Sequence, residues 1–281
     1  MSIALPAFTP AQESLFLTLG GRALDSRLPN PFLGDTVADE ILTKIGYDIA
    51  RFPQLTTKRQ APETKVFDIA VRANRLDEVV RRFVSNHPDG IVLDLGAGLD
   101  DRMLRVDPSS TVDWYDIDFP EVIAVRRQAI PQPTNAHSIG ADLTDPNWLG
   151  DVPTDRPAVI VADGLVVFLT QEDFVSLLNR LRGHFPSGEM AFNLYTTYAA
   201  WAVKHLPAMA AIAGGVANPG FNEPRQPERW VDGLKLIEEI LLTRAPEVAQ
   251  LPLITRLTSR LAAHSAVMSR MIGTVVVRYG F

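Results

Sequence analysis

The chain has 281 residues, of which 46% are hydrophobic and 21% charged, and its formal net charge is −6. This is the composition of a globular protein, and its acidic balance gives no whole-molecule footprint for nucleic acid. The sequence contains no cysteine, which excludes disulfides, thiolate nucleophiles, zinc ribbons and iron–sulfur clusters.

The chain also lacks the signals of membrane insertion and export. No apolar run approaches the ~18 residues that a membrane span needs. The first 21 residues contain no Lys or Arg, which argues against a secretory signal with a basic start. We therefore expect a cytoplasmic protein, a monomer or homodimer, with neither a membrane nor a nucleic acid as its partner.

The first third of the chain is predicted to be helical. Residues 36–45 place Val37, Ile41 and Ile45 on one stripe at helical spacing. A second amphipathic helix is predicted over residues 64–84, and the His-Pro-Asp-Gly sequence at 87–90 ends it. We expect residues 1–85 to form an N-terminal helical cap.

The remaining residues, 86–281, alternate between predicted strands and helices. A helix is predicted over 174–184, and strands are predicted over 91–95, 112–117, 136–139, 158–162, 190–195, 234–242 and 274–278. Such alternation indicates a parallel sheet covered by helices on both faces. A segment rich in Gly, Pro and Asn, 213–229, is the best candidate for a loop or lid, within an insert around 196–232.

The first strand runs into a glycine turn, Gly96-Ala97-Gly98. Two glycines at this spacing let the chain turn sharply and let a ligand approach the backbone amides, although a plain tight turn gives the same pattern. A dinucleotide-binding motif would have a third glycine at position 101, where this chain has Asp101. An acidic residue there would repel a pyrophosphate, so the sequence disfavours NAD.

Carboxylates follow the second and third strands. Asp116 and Asp118 lie 20 and 22 residues beyond Gly96, where an acid can accept hydrogen bonds from both hydroxyls of a ribose. Asp142 follows the third strand and could accept a hydrogen bond from an adenine amine. The alternatives are solvent-facing carboxylates for the first two and a helix N-cap for Asp142.

Charge is distributed unevenly along the sequence. Residues 51–82 contain eight Lys or Arg against four Asp or Glu, whereas residues 89–121 contain nine Asp or Glu against two Arg. The two stretches are either solvated faces or, for the acidic one, the lining of a site for a ligand with hydroxyls or positive charge.

Five blocks of sequence resemble one known family. IVLDLGAGLDDRMLRVD, WYDIDFPEVI, ADLTDPNWL and VADGLVVFLT, with AVRANRLDEVVRRF before them, resemble the leucine carboxyl methyltransferase superfamily. The most similar branch is that of the tetracenomycin-type polyketide O-methyltransferases. With the N-terminal LTLGGRALDSRLPNPFLGD, the resemblance covers about residues 14–200.

The resemblance implies a Rossmann-like class I methyltransferase that uses S-adenosyl-L-methionine. The fold would be a seven-stranded, mostly parallel sheet with an antiparallel final strand and helices on both faces. By motif position, the cofactor-binding residues would be Arg72 for the methionyl carboxylate, Gly96 and Gly98 in the turn beneath it, Asp118 with Asp116 for the ribose, Asp142 with Leu143 for the adenine, and Asp163.

Two of the matched positions depart from the family pattern or align loosely. Asp163 stands where the family usually has Glu, so its side chain is one methylene shorter and its contact is expected to be lost or bridged by water. Arg22 falls in a loosely aligned block that contributes a basic residue near the cofactor or substrate.

The chemistry implied is displacement of the methyl group by an oxygen held in line with the carbon–sulfur bond. A carboxylate acceptor is already ionised at pH 7 and needs no base, whereas a phenol does. Among the five histidines, His205 and His264 are the weak candidates for such a base. No His, Asp and Glu cluster has metal-ligand spacing, so we expect catalysis without a metal.

The acceptor is expected to be a small molecule, such as a polyketide-like aromatic acid, methylated on a carboxylate or on a phenol. Tyr195, Tyr198 and Trp201 recur at helical spacing and could form an aromatic wall for it, or could pack a helix against the body of the protein. The alternatives are a protein C-terminal carboxyl methyltransferase, a non-catalytic cofactor-binding protein and an NAD-dependent oxidoreductase.

Overall fold

The structure is a computed structural model that describes residues 3–281. Seven strands form one sheet: β1 Ile91–Leu95, β2 Asp113–Asp118, β3 Ala136–Gly140, β4 Ala158–Ala162, β5 Gly188–Leu194, β6 Lys235–Leu241 and β7 Val275–Gly280. The α-helices are α1 Pro10–Ser26, α2 Thr36–Ile45, α3 Pro53–Thr56, α4 Pro62–Asn86, α5 Arg102–Val106, α6 Pro120–Ala129, α7 Gln171–His184, α8 Thr197–His205, α9 Ala210–Ala213, α10 Leu253–Ala263 and α11 Ala266–Ile272. No helix among these residues is both long and apolar enough to cross a bilayer.

The strand order is β3-β2-β1-β4-β5-β7-β6, with β1 to β5 parallel and β7 antiparallel to both of its neighbours. The strand order reverses between β1 and β4, because β2 and β3 lie on one side of β1 and the later strands lie on the other. Parallel sheets bind ligands at the carboxyl ends of the strands beside such a switch point. The predicted mostly parallel seven-stranded sheet is confirmed.

Both faces of the sheet are buried, which explains the continuous apolar runs of β1 and β4. On one face, Leu93 of β1 belongs to a cluster with Phe174 and Leu177 of α7. On the other face, Val92 packs in a cluster with Val79 and Val80 of α4. Helix α4 therefore packs directly against this face of the sheet.

The first two helices, α1 and α2, begin at side-chain caps. Thr9 and Gln12 form a capping box at the start of α1, and the side chain of Asp35 accepts a hydrogen bond from Ala38 N at the start of α2. Phe16 and Leu19 of α1 are fully buried in a cluster with Ile41 of α2. These helices cover the carboxyl edge of the sheet near β1.

Helix α4 starts two residues earlier than predicted, at Pro62, because proline fits the first turn, where no N–H partner is needed. The predicted loop over 213–229 is largely irregular, but its backbone is tied to the body of the protein. Asn218 N donates to Val167 O at 3.0 Å, and Phe221 N donates to Tyr195 O at 2.8 Å.

Candidate active site

The backbone of the turn after β1 favours glycine at two positions. Gly96 has φ 65° and Gly98 has φ 50°, in the left-handed region that L side chains avoid. A Cβ on Gly96 would lie 3.1 Å from the side chain of Leu165, and one on Gly98 would lie 3.1 Å from that of Leu15. The turn therefore exposes backbone to the cavity next to it, without side chains in the way.

Asp118, at the end of β2, is hydrogen-bonded to this turn. Its Oδ2 accepts from Gly98 N at 2.7 Å, and its Oδ1 accepts from Phe119 N at 2.7 Å. Burial raises the pKa of the carboxyl to about 6, against the opposing effect of these two backbone hydrogen bonds. The group lines the cavity with lone pairs left over for a ligand.

Asp116 does not share this role, and its prediction as a ribose-binding residue is wrong in the structure. The side chain is buried, pairs with Arg126 Nη2 at 2.7 Å and accepts from Trp114 Nε1 at 2.9 Å. Alternation along a strand puts positions 116 and 118 on one side, but Arg126 of α6 fills the space over Asp116. Only Asp118, at the strand end, reaches the cavity.

Arg72, on α4, lines the same cavity from above. Its Nε forms an ion pair with Asp163, which follows β4. The lost or water-bridged cofactor contact expected for Asp163 stays a prediction. Within residues 3–281, the two Nη atoms of Arg72 donate no hydrogen bond. The outer edge of the guanidinium is thus free to bind a carboxylate through two parallel hydrogen bonds.

Arg22 lines the cavity, and two of its three nitrogens donate hydrogen bonds to protein groups. Its Nε donates to Asp35 at 2.9 Å and its Nη2 donates to Leu99 O at 2.8 Å, with Asp100 3.7 Å from Nη1. The side chain is 2% exposed. Its Nε and Nη2 therefore brace the turn after β1, and a role of Arg22 in substrate binding stays a prediction.

Beneath the glycine turn lies a buried ion network, formed by three arginines and the carboxylates around them: Arg22, Arg102 and Arg105 with Asp35, Asp77, Asp94, Asp100 and Asp101. Burial raises the pKa of Asp94 and of Asp101 to about 7, and the neighbouring Asp100 carboxylate raises both further. Neighbouring arginines hold the pKa of Asp100 well below its usual value despite its burial.

Three of these carboxylates, Asp35, Asp100 and Asp101, lie close enough together to hold a metal ion. Nη1 of Arg105 already lies among them, at 3.1 Å from Asp35, 2.6 Å from Asp100 and 2.7 Å from Asp101. The guanidinium takes the place that a cation would occupy.

Asp142 and Leu143, predicted to bind adenine, do not line the cavity. The exposed Asp142 carboxylate accepts from Thr144 N at 2.9 Å and from its hydroxyl at 2.8 Å, which is a local Asx turn. No helix begins there, so Asp142 is not the helix N-cap of the alternative prediction either. Leu143 is buried, and its carbonyl accepts a hydrogen bond from Arg180. The structure thus brings together the predicted residues after β1, β2 and β4, but not those after β3.

The far end of the cavity is lined by side chains that carry no predicted cofactor role. Tyr195, just after β5, and Tyr198, on α8, both line it, together with apolar residues such as Met209, Ile212 and Met271. Trp201 does not line it. The ring of Trp201 stacks on the rings of Tyr198 and His205, with centroid distances of 6.0 Å and 5.2 Å. The Trp201 side chain is 50% exposed, so it does not pack α8 against the body of the protein.

Neither predicted candidate base reaches the cavity. His205 is exposed and its Nδ1 lies 2.8 Å from Trp201 O, and His264 is exposed with Nδ1 2.9 Å from Arg260 O. Both rings are tied to the preceding turn of their own helices. This corrects the suggestion that either could act as a base.

Sequence reasoning missed Lys65 and Asp68, which line the cavity from α4. Lys65 lies seven residues and Asp68 four residues before Arg72, which places all three on one helical face, and this spacing is the signal that the sequence offers. It also missed Asn193, whose buried Oδ1 accepts from Gly164 N at 2.7 Å and fixes the backbone beside Asp163.

The cavity has a volume of about 620 Å³ and runs from the glycine turn to the aromatic end. A family model described as leucine carboxyl methyltransferase matches residues 16–182. The chain belongs to the leucine carboxyl methyltransferase family. The resemblance predicted from its sequence blocks is confirmed.

Individual relatives agree with this assignment. The chain is 36% identical over 241 residues to the tetracenomycin polyketide synthesis O-methyltransferase TcmP of Streptomyces glaucescens, with 86% of each protein covered. It is 30% identical over 247 residues to the S-adenosyl-L-methionine-dependent methyltransferase dpfgK of Gibberella zeae, with 83% of each covered. Its fold matches that of a Thermobifida fusca protein described as a methyltransferase, with a TM-score of 0.51, 18% identity, and 92% of this chain and 93% of that one covered.

The protein is therefore a Rossmann-like class I methyltransferase that uses S-adenosyl-L-methionine. The cavity suits that cofactor in three respects. The glycine turn allows close approach, Asp118 offers free acceptor capacity for hydroxyls, and Arg72 has unused donors for a carboxylate. No phosphate group needs neutralising in this ligand, which is consistent with the acidic lining.

Proposed function

We propose that the protein transfers a methyl group from S-adenosyl-L-methionine to an oxygen atom, a carboxylate or a phenol, of a small polyketide-like aromatic molecule. The observation that carries this proposal is the continuity of the cavity. One enclosure of about 620 Å³ joins the glycine turn, Arg72 and Asp118 to the aromatic and apolar end at Tyr195 and Tyr198. Its volume is typical of sites for small organic ligands.

In this proposal, Arg72 binds the methionyl carboxylate of the cofactor and Asp118 accepts hydrogen bonds from the ribose. Gly96 and Gly98 carry no side chain, so they leave room for the cofactor to approach the backbone of the turn. Asp163 neutralises the inner side of Arg72 and keeps the guanidinium oriented, because their ion pair is almost fully shielded from solvent.

The cofactor, when bound, supplies a methyl group on a cationic sulfur that is already a strong electrophile. The contribution left to the protein is to hold an acceptor oxygen close to that methyl and in line with the bond that breaks. The flat side chains of Tyr195 and Tyr198 would orient a planar acceptor at the open end, and the apolar lining would exclude water.

A protein C-terminal carboxylate is the second acceptor class. The small-molecule class is favoured by the similarity to TcmP, which covers most of both chains, and by the aromatic and apolar lining at the acceptor end. A flat ring can stack on such a lining, whereas an extended peptide would leave its backbone amides without partners there.

A product screen tests this proposal. The protein and S-adenosyl-L-methionine are incubated with aromatic acids, phenols, their methyl esters and a short peptide with a free C-terminal carboxylate, and products are read by mass spectrometry. We expect one added methyl group on aromatic small molecules and none on the peptide. Methylation of the peptide alone would contradict the proposal.

A further inference from the structure

Helices α10 and α11 carry most of the large apolar side chains that the protein leaves exposed. Among residues 3–281, twelve such side chains are exposed, and eight of them lie between Leu253 and Ile272. The other four lie on α8, just after it, and on β6. Two residues, His264 and Ser265, connect α10 to α11, and the two helices contact each other.

On each helix the exposed side chains form one stripe. The stripe on α10 spans an arc of about 100° and consists of Leu253, Ile254, Leu257 and Leu261. The stripe on α11 consists of Val267, Met268, Met271 and Ile272. Ala262 and Ser269, on the inner sides of the two helices, are buried. We call the eight exposed side chains the α10–α11 patch.

The α10–α11 patch is larger than the apolar surface that a monomer ordinarily leaves to solvent. Each of its side chains is about half exposed or more, and Ile254 is 79% exposed. Together they uncover on the order of 900 Å², whereas the largest apolar patch of a typical monomer measures about 300–600 Å². One partner in a standard protein–protein interface contributes about 800 Å². The patch therefore has the size of one half of an interface.

The surroundings of the patch are almost without free charge. Residues 251–274 contain no Asp, Glu, Lys, Trp, Tyr or Phe. Two of their three arginines are bound within the chain, since Arg270 pairs with Glu239 at 2.6 Å and Arg256 donates to Ala249 O at 3.2 Å. Within residues 3–281, the side chain of Arg260 makes neither an ion pair nor a hydrogen bond, and it is the one free cation beside the patch.

An aliphatic surface with one free cation fits another aliphatic surface better than it fits a strongly charged one. Helices that bind anionic membranes are rich in Lys and Arg, and many of them add Trp or Phe. Acidic proteins are likewise recognised by surfaces that carry several cations. A second copy of the chain supplies an aliphatic surface of the same area and composition, as a two-fold interface requires.

We propose that the α10–α11 patch is the interface of a homodimer, in which α10 of one copy packs antiparallel against α10 of the other about a two-fold axis at Leu257. Of the two oligomeric states expected from the sequence, this inference selects the homodimer. It does not rest on the proposed function.

The sequence of α10 is self-complementary in this arrangement. In an antiparallel pair centred on Leu257, a residue that follows this position lies beside the residue that precedes it by the same number of positions in the other copy. Leu261 then lies beside Leu253 of the second copy, and Arg260 lies beside Ile254. The two Arg260 side chains are about 9 Å apart along the helix axis. A parallel pair would instead place the two cations side by side.

Sedimentation of the wild-type protein and two variants in the analytical ultracentrifuge tests the interface. We expect a wild-type dimer. Leu257→Glu places two carboxylates against each other at the two-fold axis, so it should raise the dissociation constant of the dimer at least tenfold. Leu206→Glu is the matched control, because Leu206 is an exposed leucine outside the patch, and it should leave this constant within twofold of the wild-type value. Circular dichroism spectra verify that both variants are folded.

A mixing experiment tests the position of the two-fold axis. Leu257→Lys should dissociate the dimer for the same reason as Leu257→Glu. When the two variants are mixed in equal amounts, they should sediment as a dimer, because opposite charges then face each other across the axis. A dimer regained in the mixture also shows that neither variant has lost its fold.

Three results would overturn the inference. A wild-type protein that sediments as a monomer at every concentration, or a Leu257→Glu dimer as stable as that of the wild type, would reject the interface. A dimer that is lost in Leu257→Glu and not regained in the mixture would reject the antiparallel arrangement about Leu257. A monomeric wild type that sediments with vesicles of phosphatidylglycerol and phosphatidylcholine, where Leu257→Glu does not, would assign the patch to a lipid surface instead.

Discussion

The two ends of the cavity are built on opposite principles. At the cofactor end, Asp94 and Asp100 are bound by buried arginines and Asp118 is bound by backbone amides. At the acceptor end, Lys65 has no partner among residues 3–281, and two tyrosines stand against the open space. Buried ion pairs cost desolvation energy but fix geometry, so the cofactor end is preorganised. The acceptor end leaves its polar groups for a substrate to satisfy.

The largest expected effect is the loss of stability when the network at the cofactor end is opened. Arg102→Met would leave Asp77, Asp94 and Asp100 each without one buried partner, and it should lower the free energy of unfolding by about 3–5 kcal/mol. Lys65→Met, at the other end, should change it by no more than about 0.5 kcal/mol. Urea unfolding measures the free energy of unfolding of both variants. Equal decreases in the two variants would contradict the difference between the two ends.

Asp116 and Asp118 allow the contributions to ligand binding and to stability to be measured separately at the cofactor end. Asp118→Ala should weaken binding of S-adenosylhomocysteine by about 1–3 kcal/mol, because the ribose hydroxyls would lose their acceptor. Asp116→Ala should weaken it less but should lower the melting temperature more, because it strands the buried Arg126. Calorimetry and thermal unfolding of both variants test this, and the reversed order would mean that the two roles are exchanged.

The pKa of Asp118 makes cofactor binding sensitive to pH. Burial raises this pKa to about 6, and the ionised carboxylate is the better hydrogen-bond acceptor. The dissociation constant of S-adenosylhomocysteine should therefore rise as the pH falls from 7.5 through 6 to 5. Asp118→Asn cannot titrate and serves as the control, since nearby Asp94 also titrates in this range. An identical slope in the wild type and this variant would assign the effect to another group.

The smallest expected effect is that of metal removal. Because Nη1 of Arg105 already lies among the three carboxylates that could hold an ion, EDTA should leave both the methylation rate and the melting temperature unchanged. A loss of rate with EDTA that magnesium restores would show that a cation takes part after all.

The strands could be predicted well because their signal is local. Strands β1 and β4 match their predicted bounds to the residue, since each is a continuous apolar run buried on both faces. The glycine turn and the carboxylate at the end of β2 could also be predicted from the sequence, because the carboxyl ends of parallel strands lie together at one edge of the sheet.

The role of the acidic stretch could not be predicted. Its carboxylates were read as solvated groups or as ligand contacts, but several of them pair with arginines. Arg22 lies 78 residues before Asp100 in the sequence, so this pairing depends on tertiary structure. His205 and His264 do not reach the cavity for a related reason, because the packing of α8 and α10 against the rest of the chain decides which of their residues line it.

Calorimetric titration of S-adenosylhomocysteine into wild-type protein and into Arg72→Gln tests the account of the cofactor end most directly. Arg82→Gln, further along the same helix with a half-exposed side chain, is the matched control. We predict binding to the wild type and to Arg82→Gln, at least tenfold weaker binding to Arg72→Gln, and no heat when NAD is injected. Unchanged affinity in Arg72→Gln, or heat with NAD and none with S-adenosylhomocysteine, would contradict the account.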